Sequence, residues 1–553
     1  MISSGGRFET QIMVTAFRPS AARGLLPMAY VGQNALTCAP IAGSIILLVV
    51  LVCFLSFEGH AQVPDDGRYR DGPRVTGQFT PVESLSRGRK GSPEPRWQDR
   101  VSYSSHGIAA SDTAGHTPVW MKGLKRHGGD KKTGFASVFA SSDCRGKVPT
   151  GYTRIFIAFR ADAKSGTGTA SDSFDGSTAQ KFDTLLRTRS ESGVTNLVVC
   201  IGPGTFQTEG VHDYVIGVGH LDKTQSSGFT VNRGWKIHGA RADQTTLKLT
   251  DLYLDPSTGK YLVGRVISTY DLDSHGVEVS DLTLDDNYPA LKPQYRADLQ
   301  LEAVSLRSNL GQHWIHNIHV VNAAGEWTEA FPVEISSPAE SPTASSGNVV
   351  EYVTMDHWAS GKCTAIAIAN AITEVRFNTV TGHQIAYGGW QMSDVHFHDN
   401  YAIQSVYGFN IDSLHNSGVM ISHNHIIHPQ SYGLVVGGVG QFVDFSISDN
   451  MITLASTEPW NTLYGVIFEG NVTGARVIGN RIISDQSPAP ASVFGLFEKG
   501  TQNTGNMFQG NQISSSFKYS LQGADCVHGN VDQAGAALRG LSNTQGTACL
   551  PRL

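Results

Sequence analysis

From residue 282 onward the chain keeps returning to one short pattern: an apolar residue, a variable one, then a second apolar one. Nine segments carry it or come close to it. They are Leu282-Thr-Leu284, Ile318-His-Val320, Val353-Thr-Met355, Val375-Arg-Phe377, Val395-His-Phe397, Val419-Met-Ile421, Phe445-Ser-Ile447, Ala475-Arg-Val477 and Asn506-Met-Phe508. In the last six the step between successive segments runs from 20 to 31 residues. Three residues past the last apolar position stand Asn400, Asn424, Asn450, Asn480 and Asn511. Between them recur Tyr407-Gly-Phe, Tyr432-Gly-Leu, Tyr464-Gly-Val, Phe494-Gly-Leu and Tyr519-Ser-Leu. A period this short, made of strands and turns, is one coil of a solenoid. No coil can bury its apolar face alone. Stacking at ~4.8 Å closes a shared core, and a repeated corner Asn can bond to its counterpart one coil away. The crossover preference of parallel strands makes such a coil right-handed. Alternation of period two, with Gly at the turns, excludes helical repeats. A propeller blade takes ~40–50 residues, and these units are shorter.

Composition removes other classes. With Gly 60 and only 16% charged residues, the chain is neither a coiled coil nor a charge-rich disordered protein. Lys+Arg 42 against Asp+Glu 48 leaves a net charge of -6, so no nucleic-acid partner is expected. Ile41 to Phe57 is a charge-free apolar run followed by Gly59 and Ala61, small residues suited to a signal peptidase. The run is short for ~30 Å of hydrocarbon, which takes about 20 residues. Residues 1–61 are read as a signal peptide or signal anchor, the only membrane attachment expected, and the protein as secreted, periplasmic or cell-surface. Residues 62–145, with RGRKGSPEPRWQDR and LKRHGGDKKTG, read as a flexible, locally basic lead-in. Residues 146–535 are the coil domain and 536–553 a C-terminal tail. Five cysteines follow the leader, none in a CxxC pair. Cys526 and Cys549 suit a clasp for the tail, and the odd number leaves one thiol free, assigned to Cys363.

Ahead of the repeats, Thr153-Arg-Ile-Phe-Ile-Ala-Phe alternates like a strand. Asp175-Gly-Ser-Thr-Ala-Gln-Lys-Phe opens a helix with Ser177 or Thr178 as cap and Ala179, Phe182 and Leu185 or Leu186 on one face. Leu197-Val-Val-Cys-Ile is a buried strand leading into Gly202-Pro-Gly-Thr-Phe206. This opening and the repeat unit together resemble the right-handed parallel β-helices of the pectate-lyase-like superfamily, in its rhamnogalacturonase/epimerase-like branch, over roughly residues 155 to 530. The resemblance implies an all-β, single-stranded right-handed parallel β-helix with an N-terminal helical cap. It also implies a polysaccharide partner, without fixing an activity.

Alternation turns the residues beside each inward pair outward. Aligned on the nine segments, the middle coils gather Asp356, Glu374, Arg376, Asp394, His396 and His398 as the catalytic candidates. Glu374 above Asp394 sets two carboxylates ~5 Å apart, near the ~5–5.5 Å of retaining glycosidases. Arg376 could instead neutralise a uronic acid or take its C5 proton in β-elimination. His396, whose ordinary pKa is about 6.5, is the other base. His319, Trp327, Tyr352, Trp358 and Lys362 are the expected substrate-binding residues, the aromatic ones by stacking on sugar rings. Cys363-Thr-Ala-Ile-Ala-Ile … Gly382-His383-Gln-Ile-Ala-Tyr-Gly looks like a polygalacturonase stretch and adds His383 as a catalytic candidate. Where that family has paired aspartates this chain has Gly361-Lys362, so the family's acid and base do not carry over. His396, His398, His423, His425 and His428 lack a Cys or carboxylate to complete a ligand set, so no metal centre is expected. Asp285, Asp286 and Asp394 are the oxygen ligands open to Ca2+, the one cofactor considered. The expectation is an exported monomer that degrades or modifies an acidic, pectin-like polysaccharide as a lyase or glycoside hydrolase. A non-catalytic, adhesin-like glycan binder is the alternative function, and a tailspike-like trimer the alternative assembly.

Overall fold

The computed structural model describes residues 135–538, except 163, 216–220, 223–227, 251–260, 270–272, 295–297, 338–344, 413–414, 439, 456–461, 486–492, 500–501, 518 and 523–525. The leader at 1–61, the lead-in up to 134 and the tail from 539 lie outside the described residues.

The chain winds into coils, each giving one short strand to each of three long sheets of 14, 11 and 13 strands, paired almost throughout in parallel. One coil runs Thr373–Arg376, Thr379–Thr381, Ile385–Trp390, and the next begins at His396–His398. Strand neighbours are therefore one coil apart in sequence: Val375 pairs with Phe397 and Val380 with Ala402. This is the right-handed parallel β-helix that the repeat predicts. In the first sheet Val279, Ile315, Val350, Val375, Phe397, Ile421, Ile447 and Val477 form one fully buried inward row. The first-sheet strands that matter below are β1 (Lys236–Gly239), β2 (Glu278–Ser280), β3 (Trp314–His316), β4 (Asn348–Glu351), β5 (Thr373–Arg376), β6 (His396–His398) and β7 (Met420–Ser422).

The corner from the first to the second sheet is one left-handed residue and then an Asn. Phe377, Asp399, His423 and Asp449 hold φ of 55°, 55°, 56° and 54°, each followed by Asn. From Asn400 on, each ladder Asn oxygen accepts the backbone N–H and the side-chain amide of the Asn one coil before it. Asn400 gives both to Asn424 Oδ1, at 3.0 and 2.9 Å. The ladder runs from Asn378 through 400, 424, 450 and 480 to 511 and 530, one rung beyond the expected asparagines at each end. The aromatic-Gly signature stacks as well: Tyr407, Tyr432, Tyr464 and Phe494 have successive ring centroids 4.9, 5.2 and 4.9 Å apart.

The N-terminal end is closed by α1 (Ser142–Arg145) and α2 (Ala179–Glu191). The Thr178 hydroxyl caps α2, and the helix buries Phe182 and Leu186, with Phe182 against Phe206 and Phe229. The folded unit also takes in residues 135–145, which the sequence assigns to the lead-in. Two forces hold them there. Phe135 and Phe139 pack edge-on against Phe156, and Cys144 is disulfide-bonded to Cys200. Cys363 is free and buried, as expected. Cys526 is disulfide-bonded, and its expected partner Cys549 lies outside the described residues.

Candidate functional site on the outer face of the first sheet

Strand register fixes which side chains stack on this face. One outward column reads Lys236, Glu278, Trp314, Val349, Glu374, His396, Met420; the other reads His238, Ser280, His316, Glu351, Arg376, His398, Ser422. From β1 to β6 the columns cover five coil steps, roughly 24 Å, long enough for several sugar residues.

The polar groups are linked end to end. Lys236 Nζ donates to Asp143 Oδ2 at 2.8 Å and lies 2.9 Å from Glu278 Oε2. His316 Nε2 lies 3.1 Å from Glu278 Oε1, and the His316 ring stacks on Trp314 at 3.9 Å. Trp314 Nε1 donates to Glu351 Oε1 at 3.0 Å, and Arg376 Nε donates to Glu351 Oε2 at 2.8 Å. Arg376 Nη1 then reaches Glu374 Oε1 at 2.7 Å, and the same oxygen is 2.9 Å from His398 Nε2. His398 Nδ1 ends the chain on Asp399 Oδ2 at 2.7 Å. The lower end opens as a cleft of about 350 Å³ lined by Asp143, Lys236, Glu278, Asp281, Trp314 and His316. Trp314, Tyr352 and Met420 are large apolar side chains about 40% exposed (40, 39 and 42%), an aromatic and apolar rim along the same face.

His396 and His398 sit side by side, ring centroids 4.2 Å apart, yet are pulled in opposite directions. Burial, then the charge of His398, lowers the His396 pKa. Burial acts to lower His398 too, but hydrogen bonds to Asp399 and Glu374 outweigh it and raise that pKa above its ordinary value. The opposed shifts separate the two rings: both His398 nitrogens face carboxylate oxygens, which favours its charged form, whereas His396 gives up its proton first, the pairing in which one group can take a proton while the other stabilises negative charge.

The expected catalytic set is thus divided. Glu374, Arg376, His396 and His398 come together on this face. Asp394 does not face Glu374, whose cross-strand neighbour is His396. Asp394 is the left-handed residue (φ 52°) two positions before His396, so the stacked carboxylate pair is absent. The reason is a slip of two residues: Val375, not Phe377, is the partner of Phe397, because Phe377 has become the corner. Asp356 lies in the second sheet, 3.2 Å from His319 Nε2, on a different wall. His383 is fully buried at the corner before the third sheet, Nδ1 3.7 Å from Cys363 Sγ; burial lowers its pKa to about 3, which leaves it neutral and shielded.

Of the binding candidates, Tyr352 belongs to this face, stacked on Phe377 at 5.4 Å. Trp358 packs half-buried beside His383, and Lys362 is exposed in the third sheet. Trp327 is in a third-sheet strand, with its side chain outside the described residues. Asp285 and Asp286 are in or next to the second sheet, apart from Asp394. Lys236, Glu278, Trp314, His316 and Glu351 escaped the sequence reading. The strands of the last four precede Leu282-Thr-Leu284, Ile318-His-Val320 and Val353-Thr-Met355, which belong to the second sheet, and the Lys236 strand lies before the first of those repeats. The signal was present in Val277-Glu-Val279 and Trp314-Ile-His316, one strand earlier in each coil.

No family model matches the chain, and no curated protein does. Solved structures do. The A-module of the mannuronan C-5 epimerase AlgE6 of Azotobacter vinelandii aligns at 14% identity over 66% of this chain and 91% of that one, with TM-score 0.43. The surface adhesin PfbA of Streptococcus pneumoniae aligns at 10% over 67% and 94%, with TM-score 0.42. A tailspike mutant of E. coli bacteriophage HK620, in complex with a pentasaccharide, aligns at 12% over 64% and 76%, with TM-score 0.37. Likeness at this level assigns no activity.

Proposed function

We propose that this protein is an exported enzyme acting on an acidic polysaccharide laid along the outer face of the first sheet. The observation that carries the reading is the His396–His398 pair, rings 4.2 Å apart and with pKa values shifted in opposite directions, on an outward face beside Arg376. A uronic acid has a weakly acidic C5–H next to its carboxylate. The neutral His396 ring takes that proton, and the electron pair left on C5 delocalises into the carboxylate. Arg376, about one-third exposed and held in place by Glu351 and Glu374, stabilises that charge together with the His398 imidazolium. Breaking the C4–O bond, with the leaving oxygen taking a proton from solvent, then gives an unsaturated uronate, whereas return of a solvent-derived proton to the opposite face of C5 gives the epimer. The Cys144–Cys200 disulfide supports an oxidising, extracytoplasmic location.

A panel of polyuronates and neutral glycans, read for ultraviolet-absorbing unsaturated ends and for new reducing ends, tests this reading. Polyuronate-dependent product that is lost in His396→Gln supports it; reducing ends from neutral glycans alone overturn it. A second reading, binding without turnover, draws on the exposed Trp314, Tyr352 and Met420. It predicts retention of glycan with no change in product.

A further inference from the structure

We propose that Asp143, His238 and Glu278 form a site for a transition-type divalent cation, Zn2+ or Mn2+, at the lower end of the cleft. The three residues come from three parts of the chain: α1, β1 and β2. One ligand atom from each lies within 4.8 Å of the others. The decisive feature is the His238 ring. It is 1% exposed, and its Nε2 has no hydrogen-bond partner although it faces Asp143 Oδ2 at 3.8 Å and Glu278 Oε1 at 3.9 Å.

The tautomer follows from the other side of the ring. The Ser280 hydroxyl donates to Asp281 Oδ2 at 2.8 Å, so its oxygen is left to accept from His238 Nδ1, also at 2.8 Å. With Nδ1 committed to Ser280, Nε2 is the ring atom left to face the gap between the two carboxylates, buried and without a hydrogen-bond partner. A buried nitrogen and two carboxylates converging on one point form a donor set for a cation.

The supporting groups are those a bound metal needs. The relay from Asp281 through Ser280 fixes the histidine, and His316 Nε2, 3.1 Å from Glu278 Oε1, orients the glutamate. A nitrogen ligand with two carboxylates suits Zn2+ or Mn2+ better than Ca2+, which takes oxygen alone. Lys236, whose ammonium bridges Asp143 and Glu278, is the competitor. Its side chain is partly exposed and has a way out to solvent, so metal entry exchanges one cation for another. The Cys144–Cys200 bond, next in sequence to Asp143, holds that ligand over β1.

Calorimetric titration of the chelator-treated full-length protein with Zn2+, Mn2+ and Ca2+ tests the site without reference to catalysis. Wild type is expected to take up one Zn2+ or Mn2+ per chain. Lys236→Met, which removes the competing charge, tightens binding by about tenfold. Ser280→Ala, which frees the ring, weakens it by roughly tenfold to a hundredfold. His238→Gln abolishes it. The gain in Lys236→Met cannot arise from misfolding. Failure of both wild type and Lys236→Met to bind, undiminished binding by His238→Gln, or a preference for Ca2+ would each overturn the assignment.

Discussion

Glu374 Oε1 receives Arg376 Nη1 at 2.7 Å and His398 Nε2 at 2.9 Å, so one carboxylate oxygen joins two basic side chains on adjacent coils. Glu374 is itself held below its usual pKa: burial raises it, and the His398 hydrogen bond and the Arg376 charge more than compensate. The lowered Glu374 pKa favours its ionised form, and that anion in turn favours the charged form of His398.

That pairing sets the pH profile. His396 must be neutral and His398 charged, and their pKa values are shifted down and up respectively. Turnover should follow a bell with a broad top, the acid limb belonging to His396 and the alkaline limb to His398. Imidazole resonances followed by NMR should titrate in that order. The reverse order removes His396 as the base.

Glu374→Gln deletes the anion that raises His398. The alkaline limb should move to lower pH and the acid limb should shift much less. Retention of polyuronate should also weaken as pH rises through the His398 pKa, because the face then loses a positive charge while its carboxylates remain. Arg376→Ala should lower turnover by about a hundredfold. Its effect on stability should stay within about 1 kcal/mol, because the guanidinium is partly exposed and its ion pairs are screened.

The asparagine ladder makes a contrasting prediction about stability. Asn424 accepts from Asn400 N and Nδ2, and donates to Asn450 Oδ1 and to the carbonyl oxygens of Phe397 and Ser422, all in the interior. Asn424→Ala strands several buried groups at once and should cost about 3 kcal/mol or more. Ser446→Ala, on the outward face of the same region, should leave the thermal midpoint nearly unchanged.

Cys144 and Cys200 are 56 residues apart in sequence. Replacing both by Ala restores the freedom of that loop in the unfolded chain and should lower stability by about 4 kcal/mol. Proteolysis near residue 140 should rise in parallel. No change in either measurement would show that Phe139 and its aromatic contacts suffice to hold the segment.

The fold was legible because the ladder and the aromatic stack repeat over several successive coils: Asn424 bonds to an Asn on either side, and Tyr432 stacks on Tyr407 and Tyr464. The site was only half legible. Strand alternation has period two, so it identifies an inward pair but not which of three walls the pair belongs to. Leu282-Thr-Leu284 and Val375-Arg-Phe377 align as one wall in the sequence, although Leu284 lies in the second sheet and Val375 in the first. Phe377 reads as a core residue and is a left-handed corner instead, which displaced Glu374 from His396 to Asp394. Asp143 could not be found at all by periodicity, because a disulfide brings it over β1 from outside the repeats.

NMR of a polyuronate turned over in heavy water tests proton abstraction most directly: reprotonation leaves deuterium at C5 of the epimer, whereas elimination removes the C5 hydrogen and gives a new C4 vinyl resonance. Wild type should introduce deuterium at C5 of epimerised residues or release unsaturated uronate, and His396→Gln should do neither while still retaining the polymer. Equal incorporation by His396→Gln, or turnover of polyuronate by wild type with the C5 proton untouched, would contradict the account.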